Sequence, residues 1–285
     1  MRYDSGRMAD VRRAAVAGSW YPGTKLPLAI AIEKYLAAAA TSRVPACPRA
    51  LIAPHAGLIY SGPVAAHAYK LVRHCGYSAA VLVGPSHFVG FHGVSIWPRG
   101  MWDTPLGSVA VAEELAAAIA AESPDIREYP VAHGREHSLE MQMPFVAHLL
   151  PDIPIVPLVM GYQTRTTAEA LGDAIARGIS VYEARELRGV LIIASSDLSH
   201  YEDAETAARM DDVVLRHVAA LDPDGLMDTL EREPKHACGG GAIVSVLRAA
   251  SRLGAVNSEI LQYADSGDVS GDKSAVVGYT AAAIW

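Results

Sequence analysis

The stretch Arg49-Ala-Leu-Ile-Ala-Pro-His-Ala-Gly-Leu-Ile-Tyr-Ser-Gly62 decides the fold of this chain. The apolar run Ala50 to Ala53 is typical of a buried strand, and Pro54 ends it just before His55. In an open parallel α/β sheet, ligands bind beyond the carboxyl ends of the strands. His55 is therefore predicted to lie where such a sheet binds its ligand.

The same pattern returns at two other predicted strands. The apolar run Ala79 to Val83 is followed by Gly-Pro-Ser-His87, and the run Gly189 to Ala194 is followed by Ser-Ser-Asp-Leu-Ser-His200. If these strands are parallel neighbours, their carboxyl ends meet at one edge of the sheet. We therefore expect three histidines that are distant in sequence to share one pocket.

Length and composition are compatible with one globular α/β domain. The chain has 285 residues, of which 51% are hydrophobic and 19% charged, and it shows no linker-like segment. We expect a flexible N-terminus at 1–10 and one domain at 11–285, with a central, mostly parallel sheet and helices on both faces. The runs Glu259 to Ala264 and Ala275 to Ile284 are predicted to pair as an antiparallel edge.

Charge and hydropathy exclude several classes of partner. The formal net charge is -7 and the Lys and Arg residues are scattered, which argues against nucleic-acid binding, because phosphate contacts need a concentrated basic surface. No apolar run reaches the length of a membrane span, and the first arginines are not followed by the apolar segment of a signal peptide. We therefore expect a cytoplasmic protein that contacts neither nucleic acid nor membrane.

Two local patterns predict the surroundings of the pocket. Ser61-Gly-Pro63 is typical of a helix start, with Val64 to Arg73 as the body of the helix. The alternating runs between Val94 and Val111, around a Gly-rich break, predict a β-hairpin that covers the pocket.

The cysteines are interpreted one by one. Three are too few, and too odd in number, for a disulfide framework, so Cys47 and Cys75 are interpreted as lone thiols in ordinary packing or surface positions. Cys238 precedes a glycine triplet and a predicted helix that runs to Arg252. Because the amides and dipole of a helix N-terminus lower the pKa of a thiol, we expect Cys238 to favour the thiolate, the form that binds metals.

The strand-end histidines suggest a metal site. Two neutral imidazoles on neighbouring strands are a common way to hold a first-row transition metal, and a third ligand from Asp197, Glu140 or Cys238 would leave positions open for water or substrate. Each histidine also has an ordinary interpretation as a packed ring. Only the repeated placement at strand ends favours His55 and His87 as ligands.

Two further pairs have a spacing compatible with chemistry. Asp197 and His200 share one predicted loop, where His200 is placed to transfer a proton and Asp197 to orient it or bind substrate; the alternative is a loop cap beside a packed ring. His137 and Glu140 are three apart at a predicted helix start and so lie on one face. The alternative there is that Ser138 caps the helix, with Glu140 in its first turn.

Common catalytic motifs do not fit. Gly84-Pro-Ser-His-Phe88 lacks the second glycine of the nucleophile elbow, which argues against a hydrolase serine. The triplet Gly239 to Gly241 fits neither the P-loop nor the dinucleotide fingerprint.

Seven blocks together carry a resemblance to a known family. In order they are Gly-Ser-Trp-Tyr-Pro, Ala-Pro-His-Ala-Gly-Leu-Ile-Tyr-Ser-Gly, Gly-Pro-Ser-His-Phe, Trp-Asp-Thr-Pro-Leu-Gly, Glu-His-Ser-Leu-Glu-Met-Gln-Met-Pro, Ser-Ser-Asp-Leu-Ser-His-Tyr and Ala-Cys-Gly-Gly-Gly. From about Val11 onward the chain resembles the Memo family. The resemblance implies an α/β fold similar to that of class III extradiol dioxygenases.

The resemblance also implies a site. Carried over position by position, it assigns metal ligation to His55, His87 and Cys238, catalysis to Asp197 and His200, and substrate binding to His137, Glu140 and Tyr60. It implies Fe(II) as the most favoured ion, with Cu or Zn as alternatives, and radical-SAM and AMMECR1-like proteins as partners.

The predicted thiol ligand widens the range of functions. A thiolate replaces the carboxylate of the dioxygenases, donates more charge, favours softer ions and can itself be oxidised. We expect a mononuclear iron redox enzyme of dioxygenase type that acts on a small oxygen-rich or aromatic substrate. The alternatives are a non-catalytic module that binds a peptide or small anion in the same pocket, and a copper or iron trafficking protein.

Overall fold

A computed structural model of the protein describes residues 11–40, 44–45, 47–186 and 188–285. The flexible segment predicted at 1–10 lies outside these residues. The strands are β1 (Val11–Arg12), β2 (Ala50–Ala53), β3 (Ala79–Pro85), β4 (Val94–Ile96), β5 (Met101–Thr104), β6 (Gly107–Ala110), β7 (Ile126–Glu128), β8 (Ile155–Met160), β9 (Val190–Ser195), β10 (His200–Glu202), β11 (Ser258–Asp265) and β12 (Val276–Ile284). The helices are α1 (Lys25–Ala38), α2 (Leu58–Tyr69), α3 (Glu113–Ala121), α4 (Val131–Gly134), α5 (Met143–Leu149), α6 (Arg165–Glu183), α7 (Ala204–Ala219), α8 (Pro223–Arg232), α9 (Gly240–Arg252) and α10 (Gly267–Ser270).

The main sheet has the order β10-β12-β2-β9-β3-β8-β4-β7, and β11 also pairs with β12. Its central strands β2, β9, β3 and β8 are parallel neighbours, and the first three correspond to the apolar runs predicted before His55, Asp197 and His87. The predicted antiparallel edge is confirmed, because β11 pairs with β12 from Ser258 opposite Ile284 to Asp265 opposite Gly278. Strand β12 also pairs antiparallel with β2, so the edge unit continues directly into the parallel centre.

Helices cover both faces of this sheet, as the fold class predicts. Helix α2 packs on β2 and β12 together with α1 and α5, and α9 packs on β2, β9 and β3 together with α6 and α8. Every residue of β2, β3, β8 and β9 is buried. The parallel centre is therefore a rigid base from which the strand-end loops project.

Two local predictions are corrected. Helix α2 begins at Leu58, before Ser61, because the Leu58 amide donates to the Trp20 carbonyl and a single proline, Pro63, removes only one bond inside the helix. The predicted hairpin is misplaced: Val94–Ile96 joins the main sheet beside β8, while β5 pairs with β6 in a small separate sheet that also contains β1.

The interpretation of Cys47 and Cys75 as lone thiols is wrong, since the two form a disulfide bond. They line a cavity of about 420 Å³ together with residues next to the amino ends of β2, β3 and β9, such as Arg49, Tyr77 and Gly189. This cavity lies at the edge of the sheet opposite to His55. A pairing across 28 positions has no local sequence signal, because it depends on how β2 and α2, which lie between the two cysteines, return the chain to the same place.

Within the described ranges, no helix combines the length and the apolar character needed to cross a bilayer.

Candidate metal centre

His55 lies at the carboxyl end of β2 and is 1% exposed. Its Nδ1 is 3.0 Å from the Ser195 hydroxyl, and its Nε2 is 3.2 Å from the Cys238 sulfur. Burial, together with the neighbouring imidazoles, holds the pKa of His55 well below its usual value. The ring is therefore neutral at physiological pH, which is the state that a metal ligand requires.

His87 follows β3, and its side chain is 28% exposed. Its Nδ1 lies 2.9 Å from Glu136 Oε1, and its backbone amide donates to Glu136 Oε2 at 2.5 Å. Burial opposes ionisation of Glu136, but the hydrogen bonds from His87 and the Ser138 amide outweigh it and lower the pKa of Glu136 to about 2. The T-shaped contact of the His55 and His87 rings, 5.2 Å between centroids, brings both imidazoles to one place.

Cys238 reaches the pocket on the loop that precedes α9. Its backbone amide donates to the Asp197 carbonyl, and its sulfur accepts from the Asp197 amide at 3.3 Å. The next residue must be glycine, because a Cβ at Gly239 would lie 2.5 Å from the Ser195 carbonyl oxygen. Gly239 therefore lets the thiol-bearing loop lie directly against the end of β9.

The expected low pKa of Cys238 is wrong for the metal-free protein. Burial, followed by the negative charge of Asp197, raises the pKa of the thiol, and these effects outweigh the amide hydrogen bonds that favour the thiolate. The prediction considered the helix N-terminus and not the carboxylate beside it. A bound cation reverses the balance, because a coordinating thiol is deprotonated.

Asp197 lies fully inside the pocket wall. Its Oδ1 accepts from the amides of His55 at 2.7 Å and Ala56 at 3.3 Å, and burial raises its pKa despite these bonds. In the described part of the chain it makes no hydrogen bond to His200, whose Nδ1 instead donates to the Leu198 carbonyl at 2.9 Å. Asp197 thus fixes the His55 backbone, and His200 keeps its Nε2 free.

A cavity of about 540 Å³ adjoins these groups. Its lining consists of His87, His200, Tyr201, Glu202, Pro234, Lys235 and Cys238. Tyr201 has a positive φ of 63° and is 77% exposed, so its ring stands at the mouth of the cavity. The predicted acid/base residue His200 and two predicted ligands therefore share one space.

His137 lies among the imidazoles and not in a helix. Its ring stacks on His87 at 4.5 Å and contacts Trp20 at 4.3 Å between centroids. Burial, followed by the neighbouring His87, lowers the pKa of His137 to about 4. Ser138 donates to the Pro85 carbonyl, so the alternative in which Ser138 caps a helix is wrong.

Glu140 points away from His137 and into the protein. It is 1% exposed, pairs with Arg12, and accepts from the amides of Ala15 at 2.8 Å and Val16 at 2.9 Å and from the Tyr21 hydroxyl at 2.8 Å. These contacts anchor the N-terminal segment. The substrate-binding and ligand roles expected of Glu140 stay predictions.

Tyr60 lies in the first turn of α2 and is partly buried against the core. Its hydroxyl has no described contact with the imidazoles or the thiol, so its substrate-binding role stays a prediction.

Two overlapping groups of side chains bring their ligand atoms within 4.8 Å of one another: His55 with His87 and His137, and His55 with Asp197 and Cys238. Two ligands of one tetrahedral ion, an imidazole nitrogen and a thiolate sulfur, are about 3.5 Å apart. The 3.2 Å between His55 Nε2 and Cys238 Sγ is close to that value. The donor set fits a transition metal, and His55 belongs to both groups.

No local sequence pattern predicted Glu136 and Ser195 as the hydrogen-bond partners of His87 and His55. Each partner is distant along the chain, by 49 positions for Glu136 and His87 and by 140 for Ser195 and His55. Glu136 stands immediately before a histidine that we singled out, but its role depends on a contact that no spacing rule predicts.

Comparisons with known proteins relate the chain to one family. A family model described as "Memo-like protein" matches residues 12–283. A "MEMO1 family protein" of Thermotoga maritima is 40% identical over 239 residues, covering 84% of this chain and 83% of the relative. Relatives with the same description are 37% identical in Sulfurisphaera tokodaii (94% and 97% covered) and 36% identical in Caldivirga maquilingensis (96% and 99% covered).

Proposed function

The chain belongs to the Memo family, and on that premise we propose that it is a metal-dependent redox protein whose ion is held by His55, His87 and Cys238. The observation that carries the proposal is the 3.2 Å contact between His55 Nε2 and Cys238 Sγ, at the edge of a cavity that His87 also lines. The proposed set takes two imidazoles from one ligand group and the thiol from the other.

The two proposed imidazoles are prepared for ligation in the same way. Each engages Nδ1 in a hydrogen bond, His55 with Ser195 and His87 with Glu136, which leaves Nε2 as the atom available to an ion. A mixed nitrogen and sulfur donor set suits Fe(II), Cu or Zn, and we propose Fe(II). When bound at these residues, Fe(II) would supply one-electron redox chemistry and Lewis acidity.

The remaining pocket residues supply binding and proton transfer. His200 donates Nδ1–H to the Leu198 carbonyl, so Nε2 carries the lone pair that accepts a proton from a substrate hydroxyl. Tyr201 offers an aromatic face and Lys235 a positive charge at the same cavity. These groups suit a small oxygen-rich or aromatic substrate, for which a cavity of about 540 Å³ has room.

A second candidate is a binding or trafficking role without turnover. It is favoured by the exposure of Tyr201, 77%, since an open aromatic residue beside Lys235 also suits a peptide or a small anion. Oxygen uptake with a panel of catechols distinguishes the two: consumption of substrate supports the enzyme, and exchangeable metal without consumption supports trafficking. The radical-SAM and AMMECR1-like partners stay a prediction.

Metal content tests the ligand set. Full-length protein is purified without oxygen, and iron is measured in the wild type, Cys238→Ser, His87→Ala and His137→Ala. We expect the first two variants to lose at least about tenfold in bound metal and His137→Ala to lose less. Glu202→Gln, which changes a carboxylate that lines the same cavity, serves as the control and should keep its iron. Retention of iron by Cys238→Ser with loss in His137→Ala would instead identify the three-imidazole group.

A further inference from the structure

The two proposed ligand histidines have supports of different charge. We propose, as a deepening of the proposed metal function, that Glu136 is the positioning residue for His87 and strengthens it as a ligand through its negative charge. Ser195 holds His55 in the same tautomer as His87, but its hydroxyl group carries no charge. The supports of the two rings are therefore unequal, and so are the expected consequences of removing them.

Glu136 can act only as an acceptor. Its Oε1 receives the amides of His137 and Ser138, both at 2.8 Å, and its Oε2 receives the His87 amide at 2.5 Å. The two amides on Oε1 leave that oxygen no place for a proton directed at His87, and the three backbone donors together favour the carboxylate form of this 2% exposed group. The ring contact at 2.9 Å must then be Nδ1–H of His87 donating to Oε1, which leaves the lone pair on Nε2.

The tautomer of His55 follows from a chain of neutral groups. The Tyr69 hydroxyl donates to Gln142 Oε1 at 2.9 Å, which orients the amide so that Nε2 donates to the Pro54 carbonyl at 3.0 Å and to Ser195 Oγ at 2.7 Å. The Ser195 hydroxyl donates its own proton to the Ser138 carbonyl at 2.6 Å. Ser195 Oγ can therefore only accept from His55, whose Nδ1 carries the proton.

The two supports meet at Ser138. Its amide donates to Glu136, and its carbonyl accepts from Ser195. One residue of the backbone thus connects the partner of His87 to the partner of His55. A continuous set of hydrogen bonds keeps both lone pairs on Nε2.

The difference in charge predicts a difference in affinity. A carboxylate that accepts from an imidazole raises the basicity of the ring and balances part of the charge of a bound cation, whereas a hydroxyl only fixes the tautomer. Removal of such a carboxylate partner typically costs about 10 to 100-fold in metal affinity. We expect a loss in this range for Glu136→Gln and a loss of less than about tenfold for Ser195→Ala.

The first measurement is the dissociation constant for Zn(II), added alone to metal-free full-length protein in competition with a chromophoric chelator. The variants are Glu136→Gln, Glu136→Asp, Ser195→Ala and the control Glu202→Gln, which we expect to stay within about twofold of the wild type. Partial recovery in Glu136→Asp supports a role of the charge. Binding by folded Glu136→Gln at wild-type strength would overturn the proposal.

The second measurement needs no metal and no variant. In metal-free wild-type protein with 15N-labelled histidine, NMR reports which ring nitrogen carries the proton. We expect the proton on Nδ1 of both His55 and His87. A proton on Nε2 of His87 would overturn the inference even if the protein binds zinc. Failure of the wild type to bind any metal would instead contradict the proposed function, and the NMR result would still decide the role of Glu136.

Discussion

Glu136 and Glu140 are close in sequence and almost equally buried, at 2% and 1% exposure, yet their carboxyl groups bind different partners. Glu136 accepts from the ring of His87 and from backbone amides. Glu140 pairs with Arg12 and accepts from the Tyr21 hydroxyl and two amides of the N-terminal segment. A buried carboxylate therefore does not reveal its role by burial alone.

The partners decide the role. An imidazole that donates a hydrogen bond from one nitrogen keeps the lone pair on the other nitrogen. Glu136 therefore acts on the pocket through the ring of His87. The guanidinium of Arg12 can only donate hydrogen bonds, and it donates them to the Glu140 carboxylate and to the carbonyls of His133 and Glu136. Glu140 therefore acts on the N-terminal segment. We therefore interpret the Glu136 region as support for a site and the Glu140 region as support for the fold.

The largest expected effect tests the fold side of this comparison. Glu140→Gln removes the charge that compensates buried Arg12, and breaking such a pair costs about 3 to 5 kcal/mol of the free energy of unfolding. Urea unfolding of the metal-free protein measures it. Zinc affinity of the folded variant should stay near the wild-type value. A loss of stability below about 1 kcal/mol would contradict the anchoring role.

A smaller effect is expected from Tyr21→Phe. The change removes one hydrogen bond to the Glu140 carboxylate while the other donors remain, and a bond to a charged group contributes about 1.5 to 3 kcal/mol. We expect the lower end of this range because the other donors still satisfy the carboxylate. Tyr162→Phe, at a tyrosine that is 52% exposed, provides the matched control. Equal unfolding midpoints for the two variants would show that the Tyr21 hydroxyl does not stabilise the segment.

The smallest effect depends on pH. His133, whose carbonyl accepts from Arg12, is fully buried, and burial, followed by the charge of Arg12, lowers its pKa to about 3. Because the unfolded chain takes up this proton near pH 6.5 and the folded chain does not, stability is lost as the pH falls below 6.5. The loss is about 1 kcal/mol between pH 6.5 and 5.5, and it approaches about 1.4 kcal/mol per pH unit at lower pH.

Urea unfolding of metal-free wild type and His133→Leu at pH 7.5, 6.5 and 5.5 measures this difference. We expect the wild type to lose more stability than the variant between the two lower pH values. Parallel pH profiles of stability for the two proteins would show that His133 does not cause the loss of stability at low pH.

The sequence predicted the features that depend on short patterns. The buried runs before His55 and His87 identified parallel strands, and the rule that ligands bind at strand ends then predicted that these histidines converge. Predictions from helical spacing were weaker: His137 and Glu140 were expected on one face, but the chain there forms no α-helix and the two side chains diverge.

Features that depend on distant partners could not be predicted. The pKa of Cys238 is raised by burial and then by Asp197, which is 41 positions away along the chain. The contacts of Glu140 depend on Arg12, more than a hundred positions away. The disulfide of Cys47 with Cys75 belongs to the same class. In each case the chemistry of a residue comes from a neighbour that only the folded chain supplies.

The pairing of β12 with β2 has a consequence for biosynthesis. The strand that presents His55 acquires its antiparallel neighbour only when residues 276–284 are available, and the parallel neighbour β9 and Cys238 also follow much later in the chain. A nascent polypeptide that does not yet include these residues holds the groups apart, because contacts of such long sequence separation form late. The proposed metal site is therefore completed only after residues 276–284 have been synthesised and have paired with β2.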